Sequence, residues 1–304
     1  MKKLRLLSIF LFLLMMLLPL TACGGDKDEK GGQAGREDDP VNEERDEKKR
    51  IAGAPLQDGI YSLNETNFDE NGWKVRFEMT VKDGKITKSD FNFINEAGTL
   101  KTEDDDYETR MKEKVGVGPK EFIPELNEDL VEEQDAKAVD IVTGATHSSE
   151  KFINYAQQLI QASQAGDTTP IEIHNGATLQ DGEYRLAEKN LDANGWKKYL
   201  NITVQGGSIT AVDYNELNAD GLKKTEDEGY NSKMSAKTGV GPKEYVPRLI
   251  EGLLEHQRAE SVDAVSGATS SSKLFKMYAA QLINAAEKGD TDPIEVDNIV
   301  YQKD

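Results

Sequence analysis

The chain is poor in cysteine, histidine and tryptophan: of 304 residues, one is Cys, three are His and two are Trp. A lone cysteine excludes an intrachain disulfide, a cysteine-ligated iron–sulfur cluster, a CxxCH haem and a cysteine-based zinc site. Any electron chemistry then falls to an organic cofactor or to other metal chemistry. Positive charge is also short, with 37 Lys and Arg against 56 Asp and Glu, a net −19. Such a surface repels nucleic acid and anionic lipid headgroups.

What is present begins with an export signal. Lys2, Lys3 and Arg5 precede an apolar run from Leu6 to Leu20, too short for an ordinary spanning helix. The run ends in Leu20-Thr21-Ala22-Cys23, which resembles the lipobox of bacterial lipoproteins. Residues 1–22 are therefore expected to be a lipoprotein signal peptide and Cys23 the lipidated residue. Loss of residues 1–22 removes three basic and no acidic residues, leaving a body near −22. With so acidic a body, membrane attachment falls to the lipid, at the outer face of the cell membrane. Residues 23–54, polar and dense in charge, are expected to form a disordered tether. Extended, about 31 such residues reach on the order of 100 Å.

From there the chain repeats itself. Asp58-Gly59 and Asp181-Gly182, Trp73 and Trp196, Gly118-Pro119 and Gly241-Pro242 are each 123 positions apart. The expected domains are residues 55–175 and 176–298, with 299–304 as a tail. In each, alternating apolar residues (Val75, Phe77, Met79, Val81) on either side of Asp83-Gly84 predict a hairpin, with Gly206-Gly207 at the second turn. Before the hairpin, Gly59 to Asn64 reads as a short strand. Helical spacing follows around Tyr107, Met111 and Lys114, then from Pro119 through Phe122, Leu126 and Leu130, and again from Ser148 to Ala165. A short strand is expected at Ala138 to Val142, and residues 167–177 as a plain connector. Strands first and helices after predict an α+β fold, an antiparallel sheet with packed helices, twice over.

The same offset of 123 separates Thr143-Gly144-Ala145-Thr146 from Ser266-Gly267-Ala268-Thr269, each with an aspartate six residues before its last threonine, Asp140 and Asp263. Two small residues turn the chain and place a threonine at the mouth of a helix. Uncovered N–H groups and the helix dipole suit such a mouth to a phosphate. This signature resembles that of the FMN-binding domain family, and the resemblance covers essentially residues 55–298. It implies covalent FMN on Thr146 and Thr269, attached by a separate magnesium-dependent flavin transferase with FAD as donor. Asp140 and Asp263 are then read by the transferase or brace the turn. The strongest likeness is to two-domain flavinylated lipoproteins of Gram-positive bacteria. It implies a carrier that relays electrons from a membrane quinol oxidase or NADH dehydrogenase system to extracellular acceptors such as ferric iron. That is an electron-transfer flavoprotein more than an enzyme, with no catalytic acid–base pair and no metal.

Other signals are weaker. The histidines do not repeat: His147 aligns with Ser270, His174 with Asp297 and His256 with Glu133, which argues against a duplicated hydrolase. Asn67-x-Asp69-x-Asn71-Gly72 imitates a calcium loop but leads into a strand, and its twelfth-place Glu78 becomes Asn201 in the second copy, so turns are the reading. Tyr107, Met111 and Lys114 form either a structural face or a wall for the flavin, with the lysine stabilising the reduced ring. Gly116 and Gly118 either let backbone approach a ring or only shape a turn. No glycine-rich nicotinamide fingerprint follows a strand, against an autonomous flavin reductase. The alternative of another class is a non-redox ligand-binding or adhesive lipoprotein on the same scaffold.

Overall fold

The computed structural model describes residues 49–302. The expected signal peptide, Cys23 and all but the last residues of the expected tether lie outside them. Strand β1 (Arg50–Ala52) leads into β2 (Gly59–Glu65), β3 (Lys74–Lys82) and β4 (Lys85–Ile94), then helices α1 (Asp105–Val115), α2 (Pro119–Glu133) and α3 (Thr146–Ala165), and β5 (Ile171–Ile173). The second copy repeats this as β6 (Gly182–Glu188), β7 (Lys197–Gln205), β8 (Ser208–Leu217), α4 (Glu228–Thr238), α5 (Pro242–His256), α6 (Thr269–Lys288) and β9 (Ile294–Val296), and β10 (Val300–Tyr301) closes the chain.

Each copy is a four-stranded sheet with helices against it, in the orders β4-β3-β2-β5 and β8-β7-β6-β9. The hairpin turn holds Asp83 and Gly84 both at positive φ, the conformation that matches the twist of the strands. Val75, Phe77, Met79 and Val81 are buried, so one sheet face makes the core. There Phe77, Phe91 and Phe152 pack with ring centroids 5.1–5.3 Å apart. Pro119 opens α2 as its first residue, where its missing N–H is harmless.

Four expectations need correction. The connector at 167–177 contains β5, which pairs in parallel with β2 (Leu63 opposite Ile171), so the sheet is not wholly antiparallel. The last residues of the expected tether are not disordered: Arg50–Ala52 pairs with Val300–Tyr301 of the expected tail. No strand forms at 138–142. Its backbone groups are taken by side chains instead of a sheet edge: the Asp140 N–H donates to the Asp129 carboxylate, and the Val139 carbonyl accepts from Lys273 Nζ at 2.6 Å. Burial pushes that Asp129 carboxyl up. Finally, α3 starts at Thr146, two residues before the expected Ser148, which makes the threonine part of the helix.

The two copies lie within one unit of the chain. Helix α3 packs on α6, and Lys276 Nζ meets Glu150 at 2.6 Å with both side chains largely buried. Lys273 Nζ also donates to the Lys137 carbonyl at 2.8 Å, tying α6 to the segment that precedes the first motif. Gln164 Nε2 donates to the Asp297 carbonyl at 2.8 Å. The Gly176 N–H donates to Glu287 at 2.7 Å, and burial raises that carboxyl to about 7.

The copies differ inside. In the second, Lys198 stands in the place of Val75 and Glu216 in that of Phe93. Glu216 Oε2 lies 2.9 Å from Lys224 Nζ and 3.5 Å from Lys198 Nζ, which is 3.9 Å from Glu188. The Tyr245 and Tyr278 hydroxyls donate to Glu216 and Glu188 at 2.9 and 2.6 Å. Burial works against the Glu216 carboxylate, yet Lys198 and Lys224 hold its pKa below the ordinary value. The first copy keeps Glu65 and Lys101, and Glu65 takes Lys151 at 2.9 Å and the Tyr155 hydroxyl at 2.6 Å.

Candidate functional site

The threonine motif is built by a glycine and a serine. Gly144 and Gly267 sit at φ +84° and +81°, where a side chain is strained. A Cβ on Gly144 would come within 2.7 Å of the Val115 carbonyl oxygen, and one on Gly267 would press into the Thr238 carbonyl oxygen. The glycine thus lets the end of α1 or α4 lie directly against the motif. Behind the turn, the wholly buried Ser149 accepts from the Val142 N–H at 3.1 Å and donates to the Ala145 carbonyl at 3.0 Å. Ser272 does the same for Val265 and Ala268, at 3.0 and 2.9 Å. These serines were not singled out in the sequence, although their recurrence at the common offset was a usable signal.

What the turn presents is alike in both copies. Ala145 and Ala268 are buried at the N-cap position, no side chain caps either helix, and Thr146 and Thr269 follow as exposed first helical residues. The uncapped helix start leaves its first backbone N–H groups without side-chain partners, a donor set that suits a phosphate. Thr143 and Ser266 are exposed, and Gly144 and Gly267 half-buried. Asp140 and Asp263 are exposed as well, and the hydrogen bonds bracing the turn come from Ser149 and Ser272. His147 is exposed next to Thr146, without a counterpart in the second copy.

Helix α1 connects the motif to a concavity of about 770 Å³ that includes Trp73, Asn95, Asp104, Tyr107 and Arg110. A second, of about 510 Å³, lies between β4 and α2 around Asn92, Thr102 and Ile123. Neither contains a motif threonine, so the exposed hydroxyls themselves, more than a deep cavity, define the site. Tyr107 and Met111 are half-buried against the core and Lys114 is exposed. Trp73 is buried with its ring edge-on to Tyr107 at 5.8 Å, a core anchor. Gly116 is the left-handed end of α1, and Gly118 starts α2 where a Cβ would strike Glu108, so both shape the turn. Asp69 Oδ1 accepts from the Asn71 and Trp73 N–H groups at 2.9 and 2.8 Å, which commits it to the turn.

The lysine beside Tyr107 is not Lys114 but Lys101, buried in a 3-10 turn at Lys101–Glu103. Its Nζ lies 4.3 Å from the Tyr107 ring centroid, 4.4 Å from Phe93 and 5.4 Å from Trp73. Lys224 repeats the position against Trp196 and Tyr230 at 5.5 and 4.5 Å. The shared Lys-Thr-Glu at 101–103 and 224–226 could have marked it.

A duplicated α+β domain with a phosphate-suited threonine turn defines a class, and the comparisons agree with it. The model of the FMN-binding domain matches residues 72–161 and 195–284, so the chain belongs to the FMN-binding domain family and carries the domain twice. Among similar proteins is the "15 kDa lipoprotein" of Treponema pallidum (strain Nichols), 35% identical over 118 residues, 39% of this chain and 84% of that one. A Clostridium perfringens protein of known crystal structure is 41% identical, covering 40% of this chain and 98% of its own, with a TM-score of 0.38. A Clostridium thermocellum protein solved in solution is 26% identical over 40% of this chain and 98% of its own, with a TM-score of 0.25.

The glycine at the turn yields a direct expectation. In Gly267→Ala the added methyl meets both a positive φ and the Thr238 carbonyl, a combined strain of about 1–3 kcal/mol. Urea unfolding at pH 7 should show that loss in Gly267→Ala. A stability equal to that of the parent chain would mean the left-handed turn is dispensable.

Proposed function

We propose that the chain is a lipid-anchored electron carrier at the outer face of the cell membrane, with FMN joined through phosphoesters to Thr146 and Thr269. The observation that carries this is the twofold presence of an uncapped helix start with an exposed threonine as its first residue. In the attachment step the threonine hydroxyl would lose its proton to solvent, its oxygen would bond to the FMN phosphorus of FAD, the pyrophosphate bond would break and AMP would leave. An exposed hydroxyl suits this chemistry, because a separate transferase has to reach it. Backbone N–H groups of the helix start would hold the phosphate, and the left-handed glycine keeps α1 or α4 alongside.

FMN, when bound, supplies the one- and two-electron chemistry, while the protein supplies tethering, orientation and electrostatics. A covalent bond answers dilution outside the cell, since micromolar binding, about 8 kcal/mol, would not retain a cofactor there. Anchoring through Cys23 is supported by its lipobox-like setting and by the name of the treponemal relative. The close packing of α3 and α6 supports exchange between the two sites. From the Glu150–Lys276 pair, Thr146 is one helical turn away and Thr269 two, about 6 and 10 Å along their axes. A membrane quinol oxidase or NADH dehydrogenase system is the proposed donor, and ferric iron or soluble flavin the proposed class of acceptor. Purified after co-expression with a flavin transferase, the protein should be yellow and its denatured precipitate should stay yellow. Colour that washes out on denaturation would overturn covalent attachment.

A further inference from the structure

The two copies carry different charge around the same aromatic wall. In the first, Lys101 is 5% exposed and is enclosed by the rings of Trp73, Phe93 and Tyr107. Among the described residues no carboxylate oxygen lies within ion-pair distance of its Nζ. Glu65 is already taken by Lys151 at 2.9 Å. Glu65 and Lys101 are buried and Lys151 is 32% exposed, and the three together leave one positive charge in excess. In the second copy Glu216 replaces Phe93 and reaches Lys224 at 2.9 Å. Glu188 and Glu216 there balance Lys198 and Lys224.

Helix α1 links this difference to the Thr146 turn. Gly144 of the motif touches the Val115 carbonyl at the end of α1, and Tyr107 is eight residues back along that helix, about 12 Å. Trp73 and Tyr107 are walls of the Lys101 cage and also line the 770 Å³ concavity. Reduction adds negative charge to a flavin, and a buried, unpaired cation stabilises added negative charge more than a paired one does.

We propose that Lys101 is a positioning residue for charge that makes the two flavin sites unequal, giving the site at Thr146 the higher midpoint potential. This rests on the covalent-flavin reading above. Between the two sites it would set a direction: with flavin bound at both, one electron would pass from the group on Thr269, oxidising it, to the group on Thr146, reducing it, with no other reactant. The charged state of Lys101 bears on it. Burial pushes this lysine down to about 8, Asp69 on the preceding turn, Asp104 at the start of α1 and Glu65 on β2 act in the opposite sense, and Lys151 on α3 adds to the lowering. The extra cation is thus present at neutral pH and lost as pH rises through 8.

The test uses the full chain flavinylated by a co-expressed transferase, as Thr269→Ala (flavin on the first copy) and Thr146→Ala (flavin on the second). Spectroelectrochemical titration at pH 7 should give the higher midpoint in Thr269→Ala. Adding Lys101→Met should lower that midpoint, Lys101→Arg should preserve it, and Phe93→Glu, which installs the second copy's carboxylate, should lower it. A separate readout needs no flavin: in the apo-protein, NMR titration of lysine side chains should reveal one lysine titrating near 8 that disappears in Lys101→Met. Equal midpoints in the two single-site variants, or a midpoint unmoved by Lys101→Met, would overturn the proposal while leaving covalent attachment intact. Single-site variants without bound FMN would instead remove the underlying reading, and the proposal with it.

Discussion

Thr146→Ala and Thr269→Ala should each lose about half of the covalently bound flavin, and the double variant all of it. The argument is that little else changes. Both side chains are exposed, and both follow the N-cap position, so neither contributes a capping bond that alanine would forfeit. Alanine is well suited to a helix, and exposed substitutions of this kind usually stay within about 0.5 kcal/mol. Fold and transferase recognition should therefore survive, and only the nucleophilic oxygen is missing. Intact mass after co-expression with the transferase measures the loss. Thr→Ser at either site should keep attachment, since the hydroxyl remains. Full flavin in the double variant would place the bond elsewhere.

Glu216→Ala should destabilise the protein by about 3–5 kcal/mol, because it strands buried cations. Lys224 would lose its 2.9 Å partner, Lys198 would keep only Glu188 at 3.9 Å, and the Tyr245 hydroxyl would lose its acceptor. Urea unfolding at pH 7 measures the change. In the first copy, Phe93→Ala also costs about 3–5 kcal/mol, but through lost packing, and the two separate on raising the pH. Deprotonation of the stranded lysines relieves Glu216→Ala, whereas the packing lost in Phe93→Ala is not restored by a rise in pH. A loss under 1 kcal/mol in Glu216→Ala would mean the cluster is open to water.

The duplication, hairpins and helices were legible because local rules and burial agree there: Val75 to Val81 alternate and are buried, and Pro119 does open its helix. The Thr146 turn was legible because its geometry is made by short-range residues, above all Gly144. Long-range pairing was not. Three residues of β5 carry too little pattern to announce a parallel partner 108 positions away (Leu63 with Ile171), and the β1–β10 pairing joins the two ends of the described chain. Residues 138–142 look like a strand because Val139 and Val142 are buried, yet their backbone is satisfied by Asp129, Ser149 and Lys273. Charge inside the core was missed for a related reason. Only folding encloses Lys101 in three rings, contributed by the turn before β3, by β4 and by α1.

The central claim is that two threonine hydroxyls hold phosphate-linked flavin. Intact-protein mass of the chain purified from its own organism tests it most directly. The expected mass is that of the lipidated polypeptide plus two FMN groups, with the additions mapping to peptides containing Thr146 and Thr269. A mass of lipidated polypeptide alone, with no flavin on either peptide, would contradict it.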